Sequence, residues 1–337
     1  MMDLDKANRL IKEIASRNKY ITPITMEDFD LFQRFFKKEK RHTYGNSWTY
    51  VTQSMYGIGE NNLGYKYYDG KNLSAVLIYP KIEQPDIHAF YWIRPMGPTI
   101  LDATDTFSKD LLENQRIPIY VKKIFKEQYD ILKRRGFKDT LSFPWHTEMP
   151  SEDDTYPECI LNVKKTLTIS KTVPKRSRLR RALQYYRKFN GDKNIKIDSI
   201  YNNEEHAWKL VKEFFTEQHF RNPYNISSPY NYYNIIYNTH NKNNFIKNII
   251  FYNNKPVGFS AAEIQNNTYS SLYATITIRE VGNSLADYII FSVLNILREK
   301  KKIKYLNLGG SEMKSLDKFK LKYRPEKKQK MYWVTLF

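Results

Sequence analysis

Residues 246–276, IKNIIFYNNKPVGFSAAEIQNNTYSSLYATI, decide the fold. Three runs rich in β-branched and aromatic residues (246–252, 256–265 and 268–276) are punctuated by Asn253-Asn254 and Asn266-Asn267. Asparagine tolerates the left-handed backbone of tight hairpin loops, so the runs read as three antiparallel strands. A long helix follows over 283–300, in which Leu285, Ile289, Val293 and Leu297 recur one turn apart and mark a core face. Then come a strand at 303–308, a short helix near 315–322 and a last strand at 330–336. Upstream lie a basic helix at 174–189, a strand at 194–200 and helices at 203–219 and 229–239.

The first half has the same order. Strand-like runs at 64–68, 72–79 and 87–93, with Asp69-Gly70 as a hairpin turn, precede a helix around 105–114. A strand at 117–121, a helix at 124–135 ending near Gly136 and a strand to 141 close it. Ahead of these are an N-terminal helix, a helix at 26–36 with Thr25 as N-cap, and a short helix at 47–56. The stretch 144–157, bounded by Pro144 and Pro157, is the natural connection, which divides the chain into 1–150 and 151–337. Three antiparallel strands, a helix, a strand and a final strand is the element order of the acetyltransferase-like GNAT fold. The expectation is an α/β (α+β) chain of two tandem GNAT-like (acyl-CoA N-acyltransferase-like) domains, the second holding the basic helix and the catalytic cleft.

Composition agrees with two packed domains. The chain has 337 residues, 41% of them hydrophobic and 15% aromatic, which excludes a disordered chain. No apolar run approaches the roughly 18 residues of a spanning helix. The opening Met1-Met2-Asp3-Leu4-Asp5-Lys6 has no apolar signal region, and the lone Cys159 forbids an intramolecular disulfide. A cytoplasmic protein is expected. Cys159, in the run Glu158-Cys159-Ile160-Leu161, reads as a buried core thiol rather than a nucleophile.

Charge is unevenly spread. The net charge of +19 is held by two stretches. Residues 164–190 carry ten Lys and Arg and no acid, and residues 298–330 carry thirteen basic and four acidic side chains. Such concentration is the footprint of a polyanionic partner. A Lys-rich solubilising surface would also account for 298–330, whereas the five Arg within 164–190 suit phosphate better.

The stretch Lys175-Arg176-Ser177-Arg178-Leu179-Arg180-Arg181-Ala182 resembles the basic helix opening the second domain of Fem-type peptidoglycan aminoacyltransferases, and the Lys-Arg-rich segment of the phosphatidylglycerol lysyltransferase catalytic region. Tyr305-Leu306-Asn307-Leu308-Gly309-Gly310 with Leu316-Asp317-Lys318-Phe319-Lys320 resembles the Fem ending, in which a strand closes on Asp-x-Gly-Gly and a Phe-Lys pair follows. Asn307 replaces the family's usual acid. In the first half Asn46-Ser47-Trp48-Thr49-Tyr50, Tyr67-Tyr68-Asp69-Gly70 and Pro95-Met96-Gly97-Pro98 are similar to the lysyltransferase-type first domain. The resemblance implies an aminoacyl-tRNA-dependent aminoacyltransferase that forms an amide (or ester) on an amine (or hydroxyl) acceptor. That acceptor is a small molecule, a peptide, or a cell-wall or polysaccharide precursor. It implies tRNA binding by Lys175, Arg176, Arg178, Arg180 and Arg181, and substrate contacts at Asn307, Gly309, Gly310 and Phe319. It places Lys320 near the tRNA 3′ end or the tetrahedral oxyanion, where one more solvated Lys is the plainer alternative.

Aminoacyl transfer from an activated ester asks the protein to position two substrates and stabilise an oxyanion, so neither a nucleophilic triad nor a cofactor is required. Glu263, inside the apolar strand pattern 258–263, is the candidate base, and the outward face of an edge strand is its alternative. Tyr273 on the next strand is a candidate for positioning substrate or for the core. Arg221, past a helix end, is a candidate for a phosphate or carboxylate. The six His are scattered and one Cys is present, so no metal is expected. The competing reading is an acyl-CoA-dependent N-acyltransferase acting on a small-molecule or sugar amine. Acetyl-CoA would then lie on a degenerate pyrophosphate loop at Arg279, Gly282 and Ser284, between strand and helix. The alternative there is a plain turn with Ser284 as helix cap. A non-catalytic RNA-binding protein on a degenerate acyltransferase scaffold is the third.

Overall fold

A computed structural model describes residues 4–53, 64–80, 88–139, 157–221, 229–237, 242–278, 284–299, 302–311 and 314–336. Its contacts form two compact units: residues 1–158 with 310–317 and 329–337, and residues 159–309 with 318–328. The first unit contains α1 (Leu4–Arg17), β1 (Ile21–Pro23), α2 (Phe29–Lys38), α3 (Trp48–Gln53), β2 (Gly64–Tyr68), β3 (Leu73–Pro80), β4 (His88–Met96), α4 (Ile100–Gln115), β5 (Ile119–Ile124), α5 (Lys126–Arg134) and β6 (Lys138–Asp139). Then follow β7 (Glu158–Asn162), α6 (Val163–Thr172), α7 (Arg178–Asn190), β8 (Ile195–Ser199), α8 (Glu204–Arg221), α9 (Tyr233–Tyr237), β9 (Phe245–Tyr252), β10 (Lys255–Ile264), β11 (Tyr269–Thr277), α10 (Leu285–Glu299), β12 (Tyr305–Asn307), α11 (Lys314–Leu321), β13 (Lys327–Gln329) and β14 (Tyr332–Leu336).

Two seven-stranded sheets share one plan. The first is ordered β1-β2-β3-β4-β5-β14-β6 and the second β8-β9-β10-β11-β12-β7-β13. Each has an antiparallel meander, one parallel neighbour (β5 beside β4, β12 beside β11), a wedged closing strand and a short edge strand. The wedged strands depart from the sequence reading. The last strand, expected in the second domain, pairs with β5 and β6 of the first sheet. The corresponding slot of the second sheet is filled by β7, which precedes every other strand of that sheet. The basic helix expected at 174–189 is α7, which starts four residues later at Arg178; α6, which the sequence reading did not give, precedes it, and Pro174 lies between the two.

Local chemistry explains the elements. Asn253 and Asn254 both have left-handed backbone (φ 49° and 63°), giving the turn that joins β9 to β10. Asp69 Oδ1 accepts from the amides of Lys71 and Asn72 and shapes the β2–β3 turn, with Gly70 at φ 90°. In α10 the whole expected stripe is buried, and Tyr288, Ile290, Phe291 and Leu294 are buried too, so this helix is enclosed by core. Phe291, Leu294, Leu179, Leu183, Leu161, Ala262, Leu272 and Leu306 belong to one cluster, in which α7 and α10 lie on one face of the second sheet. Burying each Leu or Phe contributes about 1.5–3 kcal/mol. Trp92, Phe90, Phe107, Val121, Leu132 and Val334 form the counterpart in the first unit. Cys159 is fully buried in β7.

Candidate active site

In each sheet the parallel pair is short and its strands then part. In the first, β4 and β5 pair from Phe90↔Ile119 to Ile93↔Lys122. The next residue on each strand, Arg94 and Lys123, has left-handed backbone (φ 51° and 60°), which costs a non-glycine residue about 1–3 kcal/mol. Both side chains are fully buried. The chain supplies their counter-charges. Arg94 Nη2 pairs with Glu39, and its Nε donates to Asn46 Oδ1 at 2.9 Å. Lys123 Nζ lies 3.8 Å from Glu158 Oε1, and Glu158 Oε2 accepts from the Tyr44 amide at 3.0 Å. Gly45 permits the loop to press on Lys123, since a Cβ there would stand 3.1 Å from Lys123 Cβ and Cγ. Burial and then the Arg94 charge hold His42 below its usual pKa. The parting of the first sheet is therefore occupied by ion pairs of its own unit.

The second sheet parts differently. β11 and β12 pair only from Tyr269↔Tyr305 to Ser271↔Asn307; β12 stops there and β11 continues to Thr277. Just beyond, Ala262 faces Leu272 while Ala261 faces Ala274, so Tyr273 is the extra residue of a β-bulge. Bulges re-aim side chains and gather near active sites. Glu263 faces Ser271 across β10 and β11, and Ser271 faces Asn307 across β11 and β12. These three polar residues form a row, each 0% exposed. Their neighbours Ala262, Leu272 and Leu306 point into the α7/α10 core, so strand alternation sends the row to the opposite face. β10 lies between β9 and β11, so Glu263 is not on an edge strand, and its outward-facing alternative is corrected. Ser271 Oγ is buried without a hydrogen-bond partner among the described residues, a costly arrangement unless something else completes it.

Lys247 joins the same face from β9, opposite Ala261 and diagonal to Glu263, and is 3% exposed. Burial lowers its pKa to about 8, while the carboxylates of Glu263 and Glu204 act in the other direction. Its ammonium stands 4.9 Å from the Phe245 ring centre and 5.8 Å from that of Tyr201. Burial, and then Glu204, raises the Tyr201 pKa. Sequence reasoning missed Lys247 and Ser271. The signal was available for Lys247, which alternates onto one face with Phe245, Ile249 and Phe251.

The C-terminal candidates lie in β12, in the residues just after it and in α11. Asn307 Nδ2 donates to Tyr269 Oη at 3.1 Å, and its Oδ1 accepts from the Gly309 amide at 2.8 Å. Gly309 (φ 72°) in turn accepts at its carbonyl from Cys159 N at 3.1 Å. Asn307 and Gly309 thus hold the loop in shape, and Gly310 is buried beside them in sequence. Lys320 is 9% exposed whereas Lys314 and Lys318 of the same helix are exposed, so it is not one more solvated lysine. Phe319 packs edge-on to Tyr323 at 5.6 Å, and Lys322 Nζ stands 4.0 Å from its ring centre. Tyr323 Oη and Lys322 Nζ both reach Asp287 Oδ1. Burial, then Asp287, raises Tyr323; burial also lowers Lys322, with Arg178 adding to the fall.

The basic stretch lies on the α7 side of the sheet, away from the Glu263 row. Lys175, Arg176, Arg178 and Arg181 are exposed. Arg180 differs: its Nη1 donates to the Ser170 and Lys171 carbonyls (3.3 and 2.6 Å), capping the end of α6. The Ser284 carbonyl accepts from the amides of Asp287 and Tyr288 and begins α10. Arg279, Gly282 and the Arg221 side chain lie outside the described residues.

No protein-family model and no curated protein matches the sequence. Solved structures do match. A conserved protein of unknown function from Bacteroides thetaiotaomicron is 14% identical, with 94% of this chain and 99% of that one covered and a TM-score of 0.69. FemX is 12% identical over 93% and 94%, with a TM-score of 0.56. A tandem GNAT protein from the clavulanic acid biosynthesis pathway is 9% identical over 94% and 97%, with a TM-score of 0.53.

Proposed function

We propose that this chain, which has the tandem GNAT fold, is an acyltransferase that moves an aminoacyl group from tRNA to an amine (or hydroxyl) acceptor at the parting of β11 and β12. The observation that carries this reading is the division of labour across the second sheet. One face presents the exposed basic helix α7, and the other presents the buried row Glu263, Ser271 and Asn307. The strands separate between them. A donor held on the helix side and an acceptor held on the row side would meet there, while the matching place in the first sheet is taken up by Arg94, Lys123 and their counter-ions.

In the proposed step the acceptor nitrogen bonds to the ester carbonyl carbon and the carbon–oxygen bond to the ribose breaks. Glu263 takes the amine proton, which leaves on the released ribose hydroxyl. The Lys320 ammonium faces the developing oxyanion, and Tyr273 and Phe319 border the substrates. The ester supplies the driving force, so no cofactor enters the scheme. Among the described residues no helix is long and apolar enough to cross a membrane. We place the activity in the cytoplasm, where charged tRNA is made.

A second reading, an acyl-CoA-dependent N-acyltransferase, is favoured by the start of α10 at Ser284, where a helix N-terminus suits an anion. Titrating the protein with total tRNA and with acetyl-CoA at two salt concentrations separates the two. Tight, salt-sensitive tRNA binding without acetyl-CoA binding supports the first, and single charged tRNAs then identify the donor. Saturable acetyl-CoA binding with only weak RNA affinity replaces it by the second.

A further inference from the structure

Helix α7 buries its apolar side completely: Leu179, Ala182, Leu183 and Phe189 are inside the core. Flanking that side, about 115° round the helix from it, is a stripe of Arg178, Arg181, Tyr185 and Lys188, all exposed. Their spacing (i, i+3, i+7, i+10) confines them to about 80° of the helix circumference at 100° per residue. Tyr185 is 41% exposed and, with Tyr20 and Tyr233, is one of three exposed large hydrophobic side chains among the described residues. No acid occurs anywhere in 164–190.

The ring is out of place on two counts. It belongs to neither core cluster, and it stands one turn from a cation on either side. Cations alone serve any phosphate backbone, duplex or single-stranded. An aromatic face set between them adds a contact only an unpaired base can make, because paired bases keep their faces within the stack. A membrane-surface helix would need its apolar side facing the lipid, and here that side is occupied by core.

We infer that α7 is a binding strip for unpaired RNA, in which Tyr185 stacks on a base whose flanking phosphates are held by Arg178, Arg181 and Lys188. The inference rests on the tRNA-dependent reading above and specifies it further. What α7 engages is a single-stranded part of the tRNA, not its duplex arms.

Fluorescence anisotropy with a short labelled single-stranded RNA, the duplex of the same sequence and whole tRNA provides the test, with the fold of each variant checked by circular dichroism. Tyr185→Ala is expected to weaken single-strand binding roughly tenfold, while duplex binding and the salt slope stay unchanged. Tyr185→Trp restores the affinity. Arg181→Gln weakens both RNAs and lowers the salt slope by about one. If tRNA binds but Tyr185→Ala weakens single strand and duplex equally, or neither, the stacking assignment is overturned while the tRNA reading survives. If the unaltered protein binds no RNA, both fail. Tyr185-dependent binding to phosphatidylglycerol vesicles without RNA binding overturns the assignment in favour of a lipid surface.

Discussion

Glu263→Gln tests the charge arrangement of the candidate site in two ways at once. Lys247 lies opposite Ala261 and Glu263 opposite Phe245, so the two are diagonal neighbours on antiparallel strands, about 7 Å apart. Both are essentially inaccessible to water. At ~7 Å with an effective dielectric constant of ~20, the carboxylate favours the ammonium by about 2.4 kcal/mol. Removing it lowers the proton affinity of Lys247 roughly fiftyfold. Lys247 already titrates at about 8, so the variant amine should be mainly neutral at pH 7. Isotope-labelled lysine Cε resonances followed through a pH titration report this directly. Transfer by the same variant should slow by about 10²–10⁴, the usual contribution of a positioned base. A Lys247 midpoint that stays in place or rises would refute the electrostatic reasoning. A shifted midpoint with an unchanged transfer rate would leave the electrostatics standing and remove Glu263 from the mechanism.

Lys247 also sets a stability profile. Its folded pKa of about 8 lies below the ordinary 10.5, so between those values the unfolded chain holds more protons and stability should rise with pH. Lys247→Met should flatten that rise in urea unfolding measured across the window. Ser271→Ala removes a buried hydroxyl that has no partner among the described residues, so thermal stability should hold or improve slightly while KM for the acceptor increases; a clear loss of stability would show that the hydroxyl is already bonded. Glu39→Ala leaves the Arg94 guanidinium buried without its anion and should cost about 3–5 kcal/mol by denaturant unfolding, against an outcome near zero if water reaches it. Arg180→Gln should lower thermal stability by about 1 kcal/mol with tRNA affinity nearly unchanged, the reverse of Arg181→Gln.

That last contrast shows where the sequence is readable and where it is not. Arg180 and Arg181 are adjacent and identical in type, but a rotation of about 100° turns one onto the carbonyl end of α6 and the other to solvent. The Asn253-Asn254 turn and the α10 stripe are legible because local backbone preference and helical period determine them. β7 is not. Four of its five residues are buried inside a sheet, and they show no alternation that would separate strand from helix. Glu263 is visible as a carboxylate within an apolar run. Lys247 was readable from its alternation with Phe245, Ile249 and Phe251, whereas Ser271 is an ordinary strand serine until register sets it between Glu263 and Asn307. Pairing between distant segments carries no local signature, which is why the partner of β14 could not be read.

The wedged strands also govern how the chain is made. β5 and β6 leave the ribosome long before Tyr332–Leu336, the segment that must lie between them. During synthesis the N-terminal sheet therefore waits with an open slot, exposing the backbone of β5 and β6 to any strand that arrives first. The C-terminal sheet has no such delay, because β7 emerges ahead of its neighbours. Folding should accordingly finish at the N-terminal half, in the reverse of the order of translation. Separating the chain between residues 144 and 157 would yield one half that lacks an interior strand rather than two independent domains.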